Sequence, residues 1–173
     1  MKIVACDLSL TCTGVAYGDG DHLVVDTIVT RTLRGVARLD HIAKKIRRIT
    51  DEEEPQLVVI EGYAYGRENQ AHALGELGGV IRLMLYRRKM PVVVVQPSSM
   101  KQYATGKGNA AKNDVLLAAA RRLDYAGSSN DEADALWLLE MACDKYRLHP
   151  CRVPFAHRKA LDKPEWPQTK GDE

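Results

Sequence analysis

Residues 2–17 read KIVACDLSLTCTGVAY. The first part, Lys2–Leu8, is apolar on both faces, as expected for a strand in the middle of a covered sheet. Asp7 interrupts that run near its end, in phase with Ile3 and Ala5. A carboxylate closing a buried strand is expensive unless a cation or solvent meets it. Turn-like Thr13-Gly14 and Gly18-Asp19-Gly20-Asp21 precede two more strand-like runs, Gly14–Tyr17 and His22–Val29. The chain is therefore expected to open as a three-stranded antiparallel meander.

The following segments supply crossovers. Val36, Leu39, Ile42, Ala43, Ile46 and Ile49 recur at helical spacing until Pro55, which predicts a helix lying on the sheet. Leu57–Ile60 reads as a buried strand closing on Glu61, and Gln70–Arg88 as a second helix containing Gly75, Gly78 and Gly79. Glycines cost helix stability, so their use is expected to be close packing against a neighbour. Pro91–Gln96 is a fifth strand, followed by a Gly/Lys loop and helices near Ala110–Leu123 and Asn130–Arg147. This order predicts an α/β fold: a five-stranded mixed sheet, the meander plus parallel strands, flanked by helices. Residues 149–173, with Pro150, Pro154, Pro164 and Pro167, read as an irregular basic C-terminal tail outside a domain of residues 1–148.

At 173 residues with 45% apolar side chains, the chain can bury one sizeable core. No apolar run approaches the ~20 residues that cross a bilayer, and MKIVACDL lacks the apolar stretch of a signal peptide. A cytoplasmic location is expected. The four cysteines, Cys6, Cys12, Cys143 and Cys151, are scattered without a CxxC pair, so they read as reduced thiols. A zinc site from Cys143, His149, Cys151 and His157 matches no familiar spacing. A net charge of +2 does not argue for nucleic acid, but Lys101, Lys107 and Lys112 gather in one segment. The basic clusters Lys44–Arg48 and Arg87–Lys89, and the acidic run Asp51–Glu54, read more simply as solvated helix faces and ends.

The remaining acids decide the chemistry. If the strands ending in Asp7 and Glu61 are parallel neighbours, roughly 4.8 Å apart, their carboxylates fall side by side and their repulsion favours a bound metal. Taken singly, each is equally an ordinary strand end meeting solvent. In 130–140, NDEADALWLLE, Ser129 and Glu132 fit a capping box, and the helix dipole accounts for Asp131. Asp134 resists such explanations, because it shares a helical face with Asp131, Leu138 and Met141 that turns apolar. Asp131 and Asp134 aimed at Asp7 and Glu61 would make an all-oxygen site of the kind that holds Mg²⁺ or Mn²⁺.

Four blocks in order, ACDLSLTCTGVAYG, VVIEGYAYG, KQYATGKGNAAKNDV and NDEADAL, make the chain similar to the RuvC-type Holliday junction resolvases of the ribonuclease H-like superfamily. The likeness spans about residues 1–145. It implies the ribonuclease H-like fold, an endonuclease acting on branched DNA with two Mg²⁺ or Mn²⁺ ions per active site, and a homodimer. Carried over by position, the metal-binding and catalytic acids are Asp7, Glu61, Asp131 and Asp134. Lys101 and Lys112 match the family's lysines near the cleaved phosphate, Lys112 as part of the catalytic set. Lys107 is assigned to DNA only by its neighbourhood. Tyr63 and Tyr65, with Arg67 beside them, suit stacking on an exposed base and gripping its phosphate; the plainer alternative is that they pack a loop. The chain departs from the family in placing Leu8-Ser9 where Pro-Gly is usual, and neither tyrosine aligns cleanly with the family's aromatic. A flap or other branched-DNA endonuclease and a junction-binding protein without cleavage therefore stand as alternatives. ATPase and sugar kinase relatives of the fold need a second domain for which this chain is too short.

Overall fold

A computed structural model describes residues 1–20, 22–62 and 68–168. Five strands, β1 (Ile3–Asp7), β2 (Cys12–Gly18), β3 (Leu23–Val29), β4 (Leu57–Glu61) and β5 (Val92–Val95), form one mixed sheet in the order β3-β2-β1-β4-β5. β1 to β3 are the expected meander, and β4 and β5 add in parallel on the other side of β1. The helices are α1 (Gly35–Glu53), α2 (Glu68–Arg87), α3 (Pro97–Thr105), α4 (Lys112–Arg122) and α5 (Asn130–Lys145), followed by a 3-10 helix, η1 (Phe155–Asp162).

Strand alternation sorts the core into two layers. Val4, Cys6, Val15, Val58 and Ile60 face one way, onto Ile42 and Ile46 of α1 and Leu77, Ile81 and Leu85 of α2. Ile3, Ala5, Ala16, Leu57 and Val59 face the other way, onto α3, α4 and α5, where Trp137, Leu138 and Met141 are fully buried. Asp7 continues the phase of Ile3 and Ala5, and Glu61 that of Leu57 and Val59. Both acids therefore emerge on the α5 side of the sheet. At the far end of α1, Lys44, Arg47 and Arg48 form exposed pairs with Asp40, Asp51 and Glu52, as expected of a solvated face.

Four local expectations need correction. Thr13-Gly14 is not a turn but part of β2, with Gly14 opposite Asp7; the reversal occurs over residues 8–11. There Thr13, fully buried, accepts the Ser9 amide at 3.1 Å and donates to the Ser9 carbonyl at 2.8 Å. The Gly/Lys loop is partly helical: Pro97 starts α3, and Gly106, at φ +85°, ends it by donating to the Gln102 carbonyl. Proline fits the first helical turn, and glycine fits the left-handed cap. Among the described residues, a Cβ added at Gly75 or Gly79 would meet nothing within 4 Å beyond its own helix backbone, so close packing against a described neighbour does not explain these two glycines, whereas Gly78 is buried. Finally, residues 149–168 carry η1 and seat Val153, Ala160 and Leu161 in the core beside α3 and α5.

Candidate active site

The parallel register pairs Cys6 with Ile60, and so brings the next residues, Asp7 and Glu61, side by side at the end of adjacent strands. Their carboxyls are close enough to shift each other's ionisation. Above them lies the head of α5. Ser129 caps it, its hydroxyl accepting the Glu132 amide at 3.3 Å. The capping box is only half formed. Glu132 does not fold back onto the Ser129 amide; it accepts the Tyr125 hydroxyl at 2.5 Å, while that hydroxyl oxygen accepts the Ser129 amide at 3.3 Å. Tyr125 thus relays the contact, and its phenol is pushed up to about 12, by burial first and then by Glu132. With Glu132 so occupied, Asp131 and Asp134 are the helix's acids that point into the cleft.

The cleft encloses about 620 Å³, and Asp7, Glu61, Asp131, Asp134, Lys101 and Lys112 all line it. Lys101 comes from α3 and Lys112 is the first residue of α4. Lys107 sits on the exposed turn after α3 and is not among the lining residues. Tyr63, Tyr65 and Arg67 lie outside the described residues. Arg38 of α1, which periodicity does not single out, also lines the cleft. Its guanidinium Nε donates to the Leu33 carbonyl at 2.8 Å. Only the turn of the chain before α1 brings it there, so no local signal could have found it.

Burial sets the electrostatics. Asp7 and Asp134 are 8% and 7% exposed. Burial pushes both carboxyls up; Asp131 adds to the effect on Asp7, and Asp7 to that on Asp134, which reaches about 7. Glu61 is pushed well above the usual carboxylate range by burial and then by Asp7. The Lys112 charge opposes these rises at Asp7 and Asp134, and Lys101 does so at Glu61 and Asp134. A cavity that resists ionising its own acids holds an excess of negative charge that a cation relieves. The donors are all hard oxygens, which suits Mg²⁺ or Mn²⁺. Among the described residues, no group of three or more His, Cys, Asp or Glu side chains stands close enough together to hold a metal ion unaided. The four acids line the cleft without converging on a single point.

The alternative zinc grouping does not assemble. His149 faces Glu140, Cys151 faces Asp144 and the Val153 carbonyl, and His157 meets the Tyr103 carbonyl.

The raised carboxyls predict how stability depends on pH. An acid that titrates near 3.8 unfolded and about 7 folded keeps its proton in the folded state across that interval. The folded state then binds more protons, and stability falls as pH rises from about 4 to about 7. For a group as buried as Asp134 the loss is on the order of a few kcal/mol at most. Thermal melts in chelator should fall more steeply over this range for wild type than for Asp134→Asn, and Mg²⁺ should raise the wild-type midpoint more at pH 8 than at pH 5.5. Equal slopes for the two proteins would refute the assignment.

Comparisons with known proteins identify the family and the fold. The family model described as crossover junction endodeoxyribonuclease RuvC matches residues 9–139. The crossover junction endodeoxyribonuclease RuvC of Nocardia farcinica (strain IFM 10152) is 34% identical over 173 residues, covering 94% of this chain and 90% of that protein. That of Synechococcus sp. (strain CC9311) is 32% identical over 150 residues, covering 79% and 94%. Among solved structures, Thermus thermophilus RuvC superposes with a TM-score of 0.68 at 22% identity, over 86% of this chain and 98% of that one. The same protein in complex with Holliday junction substrate gives 0.67 at 23% identity, over 80% and 90%.

Proposed function

This chain belongs to the crossover junction endodeoxyribonuclease RuvC family, and from that premise we propose that it resolves Holliday junctions by metal-assisted hydrolysis of the DNA backbone. The observation that carries the reading is one cleft in which acids from β1, β4 and α5 meet lysines from α3 and α4. Asp7, Glu61, Asp131 and Asp134 would hold Mg²⁺ or Mn²⁺. Two such ions, when bound, would supply an activated water and neutralise charge developing on the reacting phosphate.

The chain's own side chains do the rest. The carboxylates remain in one place because α5 is buried from Ala133 to Asp144 and cannot swing away from the sheet. Lys112 and Lys101 set positive charge at the cleft, where a phosphate's developing charge is stabilised. Arg38 offers a third cation in the lining of the cleft. Tyr63, Tyr65 and Arg67 follow Glu61 in the chain, and we assign them to bases and phosphates at the opened branch point. Lys107, on its exposed turn, is left a peripheral role with the DNA backbone.

We also propose a homodimer, so that two sites act on one junction. Its support is the outer face of α2, where Gly75, Gly79, Leu83 and Tyr86 follow one another at helical spacing. Leu83 is 49% and Tyr86 79% exposed. Two such helices could approach closely over the glycines, which accounts for their place in a helix. Sedimentation should show a dimer for wild type and a monomer for Tyr86→Arg; a monomeric wild type would end this part of the proposal. No described helix is long and apolar enough to cross a membrane, and we place the protein in the cytoplasm.

The test is cleavage of synthetic four-way junction, flap and linear duplex with Mg²⁺ or Mn²⁺. Paired symmetric nicks across the junction are expected. Cuts confined to flaps would favour a flap endonuclease, and junction binding without metal-dependent cutting would leave a binding protein.

A further inference from the structure

Beyond the cleft, the chain buries a second set of charges that hydrolysis does not use. On α5, past the active-site acids, Glu140 is fully buried and Asp144 is 2% exposed. Asp144 accepts the Tyr103 hydroxyl from α3 at 3.0 Å and the Arg158 Nε from η1 at 3.0 Å. Glu140 lies 3.0 Å from His149 Nε2 and 3.8 Å from Arg152 Nη1. Two more contacts tie the C-terminal segment to α3: His157 Nδ1 with the Tyr103 carbonyl at 3.0 Å, and Lys163 Nζ donating to Gln102 Oε1 at 2.6 Å. His157 packs so close to Gly106 that a Cβ there would fall 2.8 Å from its Nε2.

The contacts of Tyr103 with Asp144, His157 with the Tyr103 carbonyl and Lys163 with Gln102 converge on α3, which carries Lys101 into the cleft. A helix of nine residues is too short to hold its own shape or position in water. A buried carboxylate such as Asp144 is tolerated only with its partners in place. The segment that supplies Arg158 is therefore bound to the domain by a requirement of the core. Tyr103 links the two, since its hydroxyl meets Asp144 and its ring packs edge-on against Trp137 at 6.0 Å. Lys101 is two residues away on the same helix.

We propose that residues 149–162 are a brace of the nuclease domain, and that Arg158 and His157 are positioning residues that set α3 so that Lys101 faces the cleft that Glu61 also lines. This rests on the nuclease reading above. It extends the working domain past residue 148, to the end of η1.

A double-mutant cycle tests it, using the full chain under single-turnover conditions on a four-way junction with Mg²⁺. Displacing a catalytic group by about an ångström can cost up to roughly 10²-fold in rate. Arg158→Ala and His157→Ala should each slow cutting by some tens of fold in that range, with metal-free junction affinity within about twofold of wild type. Arg158→Lys should recover most of the rate. In a Lys101→Ala background either substitution should add no more than about twofold, the signature of a shared route. Losses of the same size with and without Lys101 would overturn the brace while leaving the nuclease intact. His157→Ala leaves Asp144 paired, so it is the deciding variant if Arg158→Ala fails to fold. A wild type that cuts no junction would instead bring down the nuclease reading and the brace with it.

Discussion

Asp7→Asn should lose at least about a thousandfold in cutting rate while the protein becomes more stable in the absence of metal. Metal-assisted neutralisation is worth several kcal/mol in the transition state, and each 1.36 kcal/mol is a factor of ten. Asparagine keeps the shape of the side chain but cannot serve as an anionic ligand between two other acids. The stability gain has a separate cause. The Asp7 carboxyl is pushed up by burial and by Asp131, so its ionised form opposes folding above its folded-state pKa, and a neutral isostere removes that opposition. Cleavage rates and chelator melts at pH 8 read the two effects together. Cutting within tenfold of wild type would show that Asp7 is not a metal ligand. A fall in melting temperature would show that its charge is already compensated within the fold.

Gly14→Ala is expected to damage both folding and activity, although alanine is ordinarily the better strand residue. A Cβ on Gly14 would lie 1.9 Å from the carbonyl oxygen of Asp131 and 2.4 Å from its carbon. Both are backbone atoms, so no rotamer change relieves the clash. The head of α5 would have to rise from β2 by about an ångström or more, taking Asp131 and Asp134 away from Asp7 and Glu61. Overpacking of this kind costs typically 1–3 kcal/mol, and the displacement costs up to roughly 10²-fold in rate. A variant with wild-type melting temperature and cutting rate would mean that α5 does not rest on Gly14.

That contact marks the boundary of what local sequence encodes. Thr13-Gly14 looks like a turn in sequence because its neighbours along the chain are small and polar. Its actual neighbour is a helix terminus more than a hundred residues later. Likewise α3, with only nine residues, is too short for a periodic signal, although Met100, Tyr103 and Ala104 are its buried face. Its start at Pro97 and its end at Gly106 are legible as caps. The capping-box pattern predicts that Glu132 completes the box by itself, but Tyr125, seven residues upstream, intercepts it.

Sequence alone was enough for the meander, the parallel strands and the two long helices on one face of the sheet, and it singled out the four acids that the structure places around one cleft. Each of these is a regular element or an exception to its pattern, since a charge in a buried strand or on an apolar helical face violates a rule that spans only a few residues. The tertiary structure decided which way those exceptions point and what holds them there. The β1–β4 register sets Asp7 beside Glu61, Gly14 lets α5 descend onto them, Arg38 arrives from α1, and Asp144 binds η1 to α3. These are contacts between residues distant in the chain, governed by burial and steric fit, and no local spacing encodes them.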